Sequence, residues 1–263
     1  MKSHSPIDHI VLGVDHGDYS WETLDTAREL ADSVGAELRA FHATDNKLPD
    51  SIVDRAFRQD VDLKSSVTFS GSEGVARGIV DHAAGLDNAV VALTSHARRG
   101  LTASLLGSSA TAVLELSEDP VLLFGPHHEG TGSISRVLAC IDGSELSETI
   151  LPAACRWARA AGAPLWLVHV VEPGASAAGG GADSNYIHRV AEDLDTDNID
   201  IEFDVLHGDH PGESIAGYAG LEAGTLTALA THGRSGLRSI TMGSVAMEVT
   251  RRSTGPTLVV RPG

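Results

Sequence analysis

Residues 231–245 read Thr231-His232-Gly233-Arg234-Ser235-Gly236-Leu237-Arg238-Ser239-Ile240-Thr241-Met242-Gly243-Ser244-Val245, and residues 95–109 carry the same pattern. His96 matches His232, Arg98 matches Arg234, Gly100-Leu101 matches Gly236-Leu237, and Gly107-Ser108 matches Gly243-Ser244, each pair 136 positions apart. The chain is therefore one module written twice. In each copy a basic, glycine-containing loop follows an apolar run, and a Gly-Ser pair then opens a helix. That arrangement presents backbone amides to an anion such as phosphate.

Working outward, each half alternates apolar runs with amphipathic stretches. In the first half, strands are expected at Ile10–Val14, Leu38–Ala43, around Val67-Thr68-Phe69, at Ala89–Thr94 and at Pro120–Phe124. Leu24, Ala27, Leu30, Ala31 and Val34 recur at helical spacing within Ser20–Val34 and stop before Gly35. Further helices are expected at Ser51–Gln59, Gly74–Ala84 and Gly107–Leu116. The second half repeats the order, with strands at Val137–Ile141, Leu165–Val171, Ile201–Leu206, Thr225–Ala230 and Thr257–Val260. Its helices are expected at Ser147–Ala160, Asp183–Asp193, Gly212–Leu221 and Gly243–Arg251. Strands alternating with helices imply parallel sheets covered on both faces, joined by right-handed crossovers.

The offsets locate an insertion. Asp15 to Asp142 and His42 to His169 are both 127 positions, against 136 for His96 to His232. Nine residues have been added in the second half, and the Gly/Ala/Ser-rich stretch Pro173–Gly181 is the expected place. The linker is expected at His127–Ser133, giving domains over residues 1–130 and 131–263. Val121–Phe124 and Thr257–Val260 are strongly apolar edge candidates. Each is either buried under its own helices or paired with the other inside the chain.

Composition narrows the classes. The formal charge is −17, from 36 acidic against 19 basic residues. That argues against a general nucleic-acid binder. It also means that an anionic ligand must be held by local dipoles and a few placed cations. Two cysteines, Cys140 and Cys155, make no disulfide framework. No apolar run approaches the ~20 residues of a membrane span, and Met1–Asp8 has no signal-like apolar stretch. The expectation is a cytoplasmic protein without a membrane partner. The 13 histidines are scattered, with no metal-ligand spacing among them, so no metal site is expected.

Two sets of residues can carry chemistry. Gly233 and Gly243 allow close backbone approach, Ser244 offers hydroxyl and amide, the helix start adds partial positive charge, and Arg234 and Arg238 supply cations. The plain alternative is a strand-to-helix connection with a serine cap. The second set is Asp15 and Asp142, just past the first strand of each half. An acid there accepts hydrogen bonds from a ribose or base, or else merely forms a turn. In a parallel sheet the ends of the first and fourth strands meet at one crevice, so Asp142 and Gly243-Ser244 can face one cleft.

The Asp-ended first strands, the Gly-x9-Gly-Ser loop and the closing apolar strand resemble the universal stress protein family, as a tandem pair covering essentially the whole chain. The resemblance implies two Rossmann-like α/β domains, each a five-stranded parallel sheet with helices on both faces, packed as a pseudo-dimer. The ATP-binding branch of that family carries Gly-x2-Gly-x9-Gly-Ser/Thr. Here Gly233 and Gly243-Ser244 match, while Ala230 replaces the first glycine. By resemblance, Asp142 meets ribose or adenine, Val170 touches the base, Ala230, His232, Gly233 and Arg234 line the loop, and Gly243, Ser244 and Val245 take phosphates. The first-half equivalents are Asp15, Ala43, Thr94, His96, Ala97, Gly107, Ser108 and Ser109. Thr94 and Ala97 replace both earlier glycines there, so this site is expected to be the weaker.

The implied cofactor is ATP or another adenine nucleotide, with magnesium arriving alongside it. No Gly-Lys-Ser/Thr, no nucleophile elbow and no general base for a γ-phosphate is present, so brisk catalysis is not expected. Two alternatives remain open: a scaffold of the same fold that binds no nucleotide, and a slow ATPase. A homodimer and protein partners are also left open.

Overall fold

A computed structural model describes residues 7–44, 48–67, 71–95, 106–128, 132–172, 181–194, 199–232 and 242–262. The first half runs β1 (His9–Gly13), α1 (Asp18–Glu22), α2 (Leu24–Val34), β2 (Glu37–Thr44), α3 (Asp50–Arg58), β3 (Asp62–Val67), α4 (Ser72–Ala84), β4 (Ala89–Thr94), α5 (Ser108–Leu116) and β5 (Val121–Phe124). The second half runs β6 (Arg136–Cys140), α6 (Glu145–Glu148), α7 (Leu151–Ala161), β7 (Leu165–Val171), α8 (Gly181–Asp193), β8 (Ile201–His207), α9 (Pro211–Ala219), β9 (Thr225–Ala230), α10 (Ser244–Arg252) and β10 (Thr257–Val260).

Each half is a five-stranded parallel sheet, and the two fuse into one ten-stranded sheet ordered β3-β2-β1-β4-β5-β10-β9-β6-β7-β8. The seam is the antiparallel pair of β5 and β10, with Leu258 opposite Leu122. This resolves the alternative left open for the two apolar closing strands: they pair with each other within the chain. The pairing removes two edges of the kind that recruit other chains. It also leaves the two halves antiparallel, so their carboxyl-terminal edges lie on opposite sides of the sheet.

One face is covered by α2 and α7, which touch each other. Beneath them a single apolar core crosses the seam, holding Trp21, Leu30, Leu122, Phe124, Trp157 and Leu258. On the other face α4 and α5 cover the first half, and α9 and α10 the second. The chain between the halves is pinned near its ends. Tyr19 Oη donates to the Gly125 carbonyl, and Gly132 N donates to Glu29 Oε2 at 2.8 Å. Residues 129–131 of the expected linker lie outside the described residues.

Three expected elements differ. The single helix expected at Ser20–Val34 is α1 and α2, separated at Thr23; likewise Ser147–Ala160 is α6 and α7, separated at Thr149-Ile150. In both halves a short helix turns the chain back over the strand end before the long one begins. The third strand lies at Asp62–Val67, so it holds Val67 of the residues that suggested it, while Thr68 and Phe69 lie outside the described residues. Its sequence is polar because it is an outer strand, held by β2 through a register from Arg39–Asp62 to Thr44–Val67.

Helices α2 and α7 both end on glycines in the left-handed region, Gly35 at φ 70° and Gly162 at φ 61°. A Cβ at Gly162 meets nothing within 4 Å. Gly162→Ala should therefore cost only its backbone strain, about 1 kcal/mol, read as a lowered denaturation midpoint with an unchanged slope.

Candidate functional site

At the carboxyl ends of β6, β7 and β9 lies a cleft of about 300 Å³. Its walls bring together Asp142, Val170, Ala230, His232, Gly243, Ser244 and Val245, all singled out in the sequence. Gly233 and Arg234, like Arg238, lie outside the described residues.

The Asp142 loop is rigidly built. Gly143 takes φ 85°, and Ser144 caps α6, accepting from Ser147 N at 3.1 Å. Asp142 Oδ1 accepts from Ser144 N at 3.0 Å and from Ser144 Oγ at 2.6 Å. Asp142 N donates to Ser147 Oγ at 3.1 Å. The turn role of Asp142 is therefore real, and it fixes the carboxylate at the cleft wall. Behind it, buried His169 lies with Nδ1 2.9 Å from the Ile141 carbonyl. A carbonyl only accepts, so Nδ1 carries the proton.

Tyr186 of α8 completes the support. Its hydroxyl donates to Glu148 Oε1 at 2.7 Å, and its ring meets His169 edge-on at 5.7 Å. Burial, and then the Glu148 carboxylate, push the Tyr186 pKa well above the ordinary phenol value. The hydroxyl thus stays protonated and keeps donating. Of the insertion expected at Pro173–Gly181, residues 173–180 lie outside the described residues, and Gly181 opens α8.

Gly243 is the N-cap of α10, and among the described residues no side chain caps the helix. Gly243 N donates to the Thr231 carbonyl at 2.7 Å, so the next amides of the first turn are the ones presented to the cleft. His232 stands beside them. Its Nδ1 is 3.1 Å from Thr231 Oγ1, and its Nε2 is buried with no hydrogen-bond partner among the described residues.

The sequence leaves part of the wall unmarked: Cys140, Ser147, Glu172 and, from α9, Pro211 and Ile215. Ser147 was findable, because Ser20 stands 127 positions before it, at the same offset as Asp15 and Asp142. Burial pushes the Cys140 thiol up to about 12. Cys140 should therefore resist thiol reagents at pH 8 in the native protein and react only on unfolding, a contrast readable by a colorimetric thiol assay.

The first half has a matching cleft of about 250 Å³, lined by Asp15, Ala43, Thr94, Gly107, Ser108 and Ser109. Asp15 Oδ1 accepts from Gly17 N at 2.8 Å and from Ser20 Oγ at 2.9 Å. His42 Nδ1 is 2.8 Å from the Val14 carbonyl. Helix α3 is tied to α1 by a different pair, Arg55 Nη1 donating to Asp18 Oδ1 at 2.8 Å. Phe41 and Gly13 stand where the second half has Val168 and Cys140. His96 and Ala97 lie outside the described residues. Among the described residues, no group of three or more His, Cys, Asp or Glu side chains is placed to hold a metal ion. None of the described helices is long and apolar enough to cross a membrane.

Comparison with known proteins is consistent with this geometry. The universal stress protein family model matches residues 133–261. A universal stress protein from Archaeoglobus fulgidus is 22% identical, with TM-score 0.69, over 99% of this chain and 100% of that one. A putative universal stress protein from Pseudomonas aeruginosa is 16% identical, with TM-score 0.60, over 97% of this chain and 94% of that one. The cytoplasmic domain of a prokaryotic cation chloride cotransporter is 14% identical, with TM-score 0.56, over 96% of this chain and 94% of that one. At these identities the solved structures establish a shared fold. No curated protein matches the sequence.

Proposed function

The chain carries a universal stress protein domain over residues 133–261, and from that premise we propose that its second half binds an adenine nucleotide, ATP or a close relative. The observation that supports this most is the convergence, in one cleft, of Asp142 with the uncapped start of α10 and the unpartnered Nε2 of His232. Ribose or base hydroxyl and amino groups donate to the Asp142 carboxylate. The base lies on the apolar wall of Val168, Val170, Ile215 and Leu229. The phosphates extend over Gly243, Ser244 and Val245, where the amides and the helix dipole receive negative charge that a −17 protein otherwise repels. The cleft sits at the lower end of the ~300–1,000 Å³ typical of ligand pockets, which suits a nucleoside with its phosphates at the rim.

None of the described residues lining the cleft is an activated nucleophile or a base aimed at a γ-phosphate, and on this reading the nucleotide acts as a bound signal and not as a substrate turned over quickly. Stress or signalling proteins use such occupancy to bias a shape or a partner surface. Native mass spectrometry of protein taken directly from cells tests this reading. Co-purified ATP, ADP or AMP supports it. A clean apo mass that ATP does not shift overturns it in favour of a non-nucleotide scaffold.

A further inference from the structure

Between the carboxyl-terminal ends of α4 and α5 lies a cavity of about 450 Å³, larger than either nucleotide cleft. Val80, Ala83, Leu86, Ala89, Val91 and Leu116 form an apolar wall, and Asn88, Ser117 and charged side chains form a polar one. Ala89 opens β4, so the cavity sits at the amino-terminal edge of the first-half strands, away from Asp15 and Gly107.

The second half is built differently at the strand position that matches Ala89. There the buried Arg136 donates from Nε to Thr225 Oγ1 at 2.9 Å and from Nη2 to the Tyr218 carbonyl at 2.9 Å. Its guanidinium stands 5.1 Å from the Tyr218 ring and 5.6 Å from the Trp166 ring, with Glu222 at 3.5 Å. The strand registers make the equivalence explicit: Arg136 pairs with Thr225, and His9 pairs with Ala89. In the first half His9 and Ala89 replace Arg136 and Thr225, and of the two it is Ala89 that lines the cavity.

Among the described residues, one cation lines the cavity. Arg156 reaches it from α7, on the far side of the sheet, and its Nε and Nη2 are buried without a hydrogen-bond partner. A half-buried guanidinium with two covered, idle donors lacks an acceptor that an anionic group supplies in bidentate geometry. Glu118 and Asp119 also border the cavity, but both are solvent-exposed, at its rim. They select against a second negative charge on the outer part of a ligand.

We infer that this cavity binds a small amphiphile with an apolar body and a single carboxylate, the carboxylate paired with Arg156 and the body against the alanine-rich wall. The inference does not depend on nucleotide binding at either cleft. Calorimetric titration with octanoate, octanol and octylamine tests it on the intact chain, on Arg156→Gln, and on Ala84→Trp, which places a ring at an exposed residue of the cavity mouth. Octanoate is expected to bind the natural chain. The affinity should fall about tenfold or more in Arg156→Gln and be lost in Ala84→Trp, with both variants melting as the natural chain does. Octanol and octylamine should bind at least about tenfold more weakly than octanoate. Absence of octanoate binding, equal binding of octylamine, or binding that either variant leaves unchanged overturns the inference.

Discussion

Leu258→Ala and Leu122→Ala should each lower stability by about 3 kcal/mol, within the range for buried leucines that leave a cavity. Both side chains are fully buried, in one apolar core that spans the two halves. They face each other across the β5–β10 seam, where directly opposed Cβ atoms lie ~5 Å apart. The double variant should therefore fall short of the sum of the singles by about 0.5 kcal/mol or more, because each truncation enlarges the same space. Calorimetry should show one cooperative transition for the natural chain, since unfolding either half exposes the other's share of that core. Two independent transitions, or strictly additive losses, would mean that the halves are separate domains that merely touch.

Gly243→Val should weaken ATP binding by at least about 100-fold, equivalent to ~2.7 kcal/mol. A Cβ at Gly243 stands 2.7 Å from the Thr231 carbonyl oxygen, a backbone atom that cannot rotate away. The same carbonyl receives the Gly243 amide at 2.7 Å. Relief therefore has to break that bond and displace the start of α10, taking with it the amides that would hold the phosphates. Gly107 of the first half provides the control. It caps α5 in nearly the same conformation, φ −57° against −62°, yet a Cβ there meets nothing within 4 Å. Gly107→Val should leave the melting temperature and the second-half ATP affinity unchanged.

The order of strands and helices was readable in the sequence because most of the strands are buried and speak through apolar runs. β3 was displaced in the reading because Lys64, Ser65 and Ser66 carry no apolar signal; backbone pairing to β2 places them. The breaks at Thr23 and at Thr149-Ile150 were invisible to periodicity, since Leu24 and Leu151 keep the apolar stripe going across them. The seam was posed by the sequence as a choice, because an apolar strand has the same composition whether it meets a helix or another strand.

At the site, repeat offsets carried most of the information. They paired Asp15 with Asp142 and Gly107-Ser108 with Gly243-Ser244, and the structure sets each pair at corresponding clefts. His42 and His169 served in the sequence only as landmarks. Each proves to hold the carbonyl of the residue before the acid. Glu172, Pro211 and Ile215 reach the second cleft from elements whose local sequence carries no ligand signal.

The most direct test of the account is a calorimetric titration of ATP into the natural chain and into Gly243→Val. A single dominant site in the natural chain, and none of comparable affinity in the variant, is the expected result. Two equal sites, no binding at all, or an affinity that Gly243→Val leaves unchanged would contradict the assignment of the second cleft as the nucleotide site.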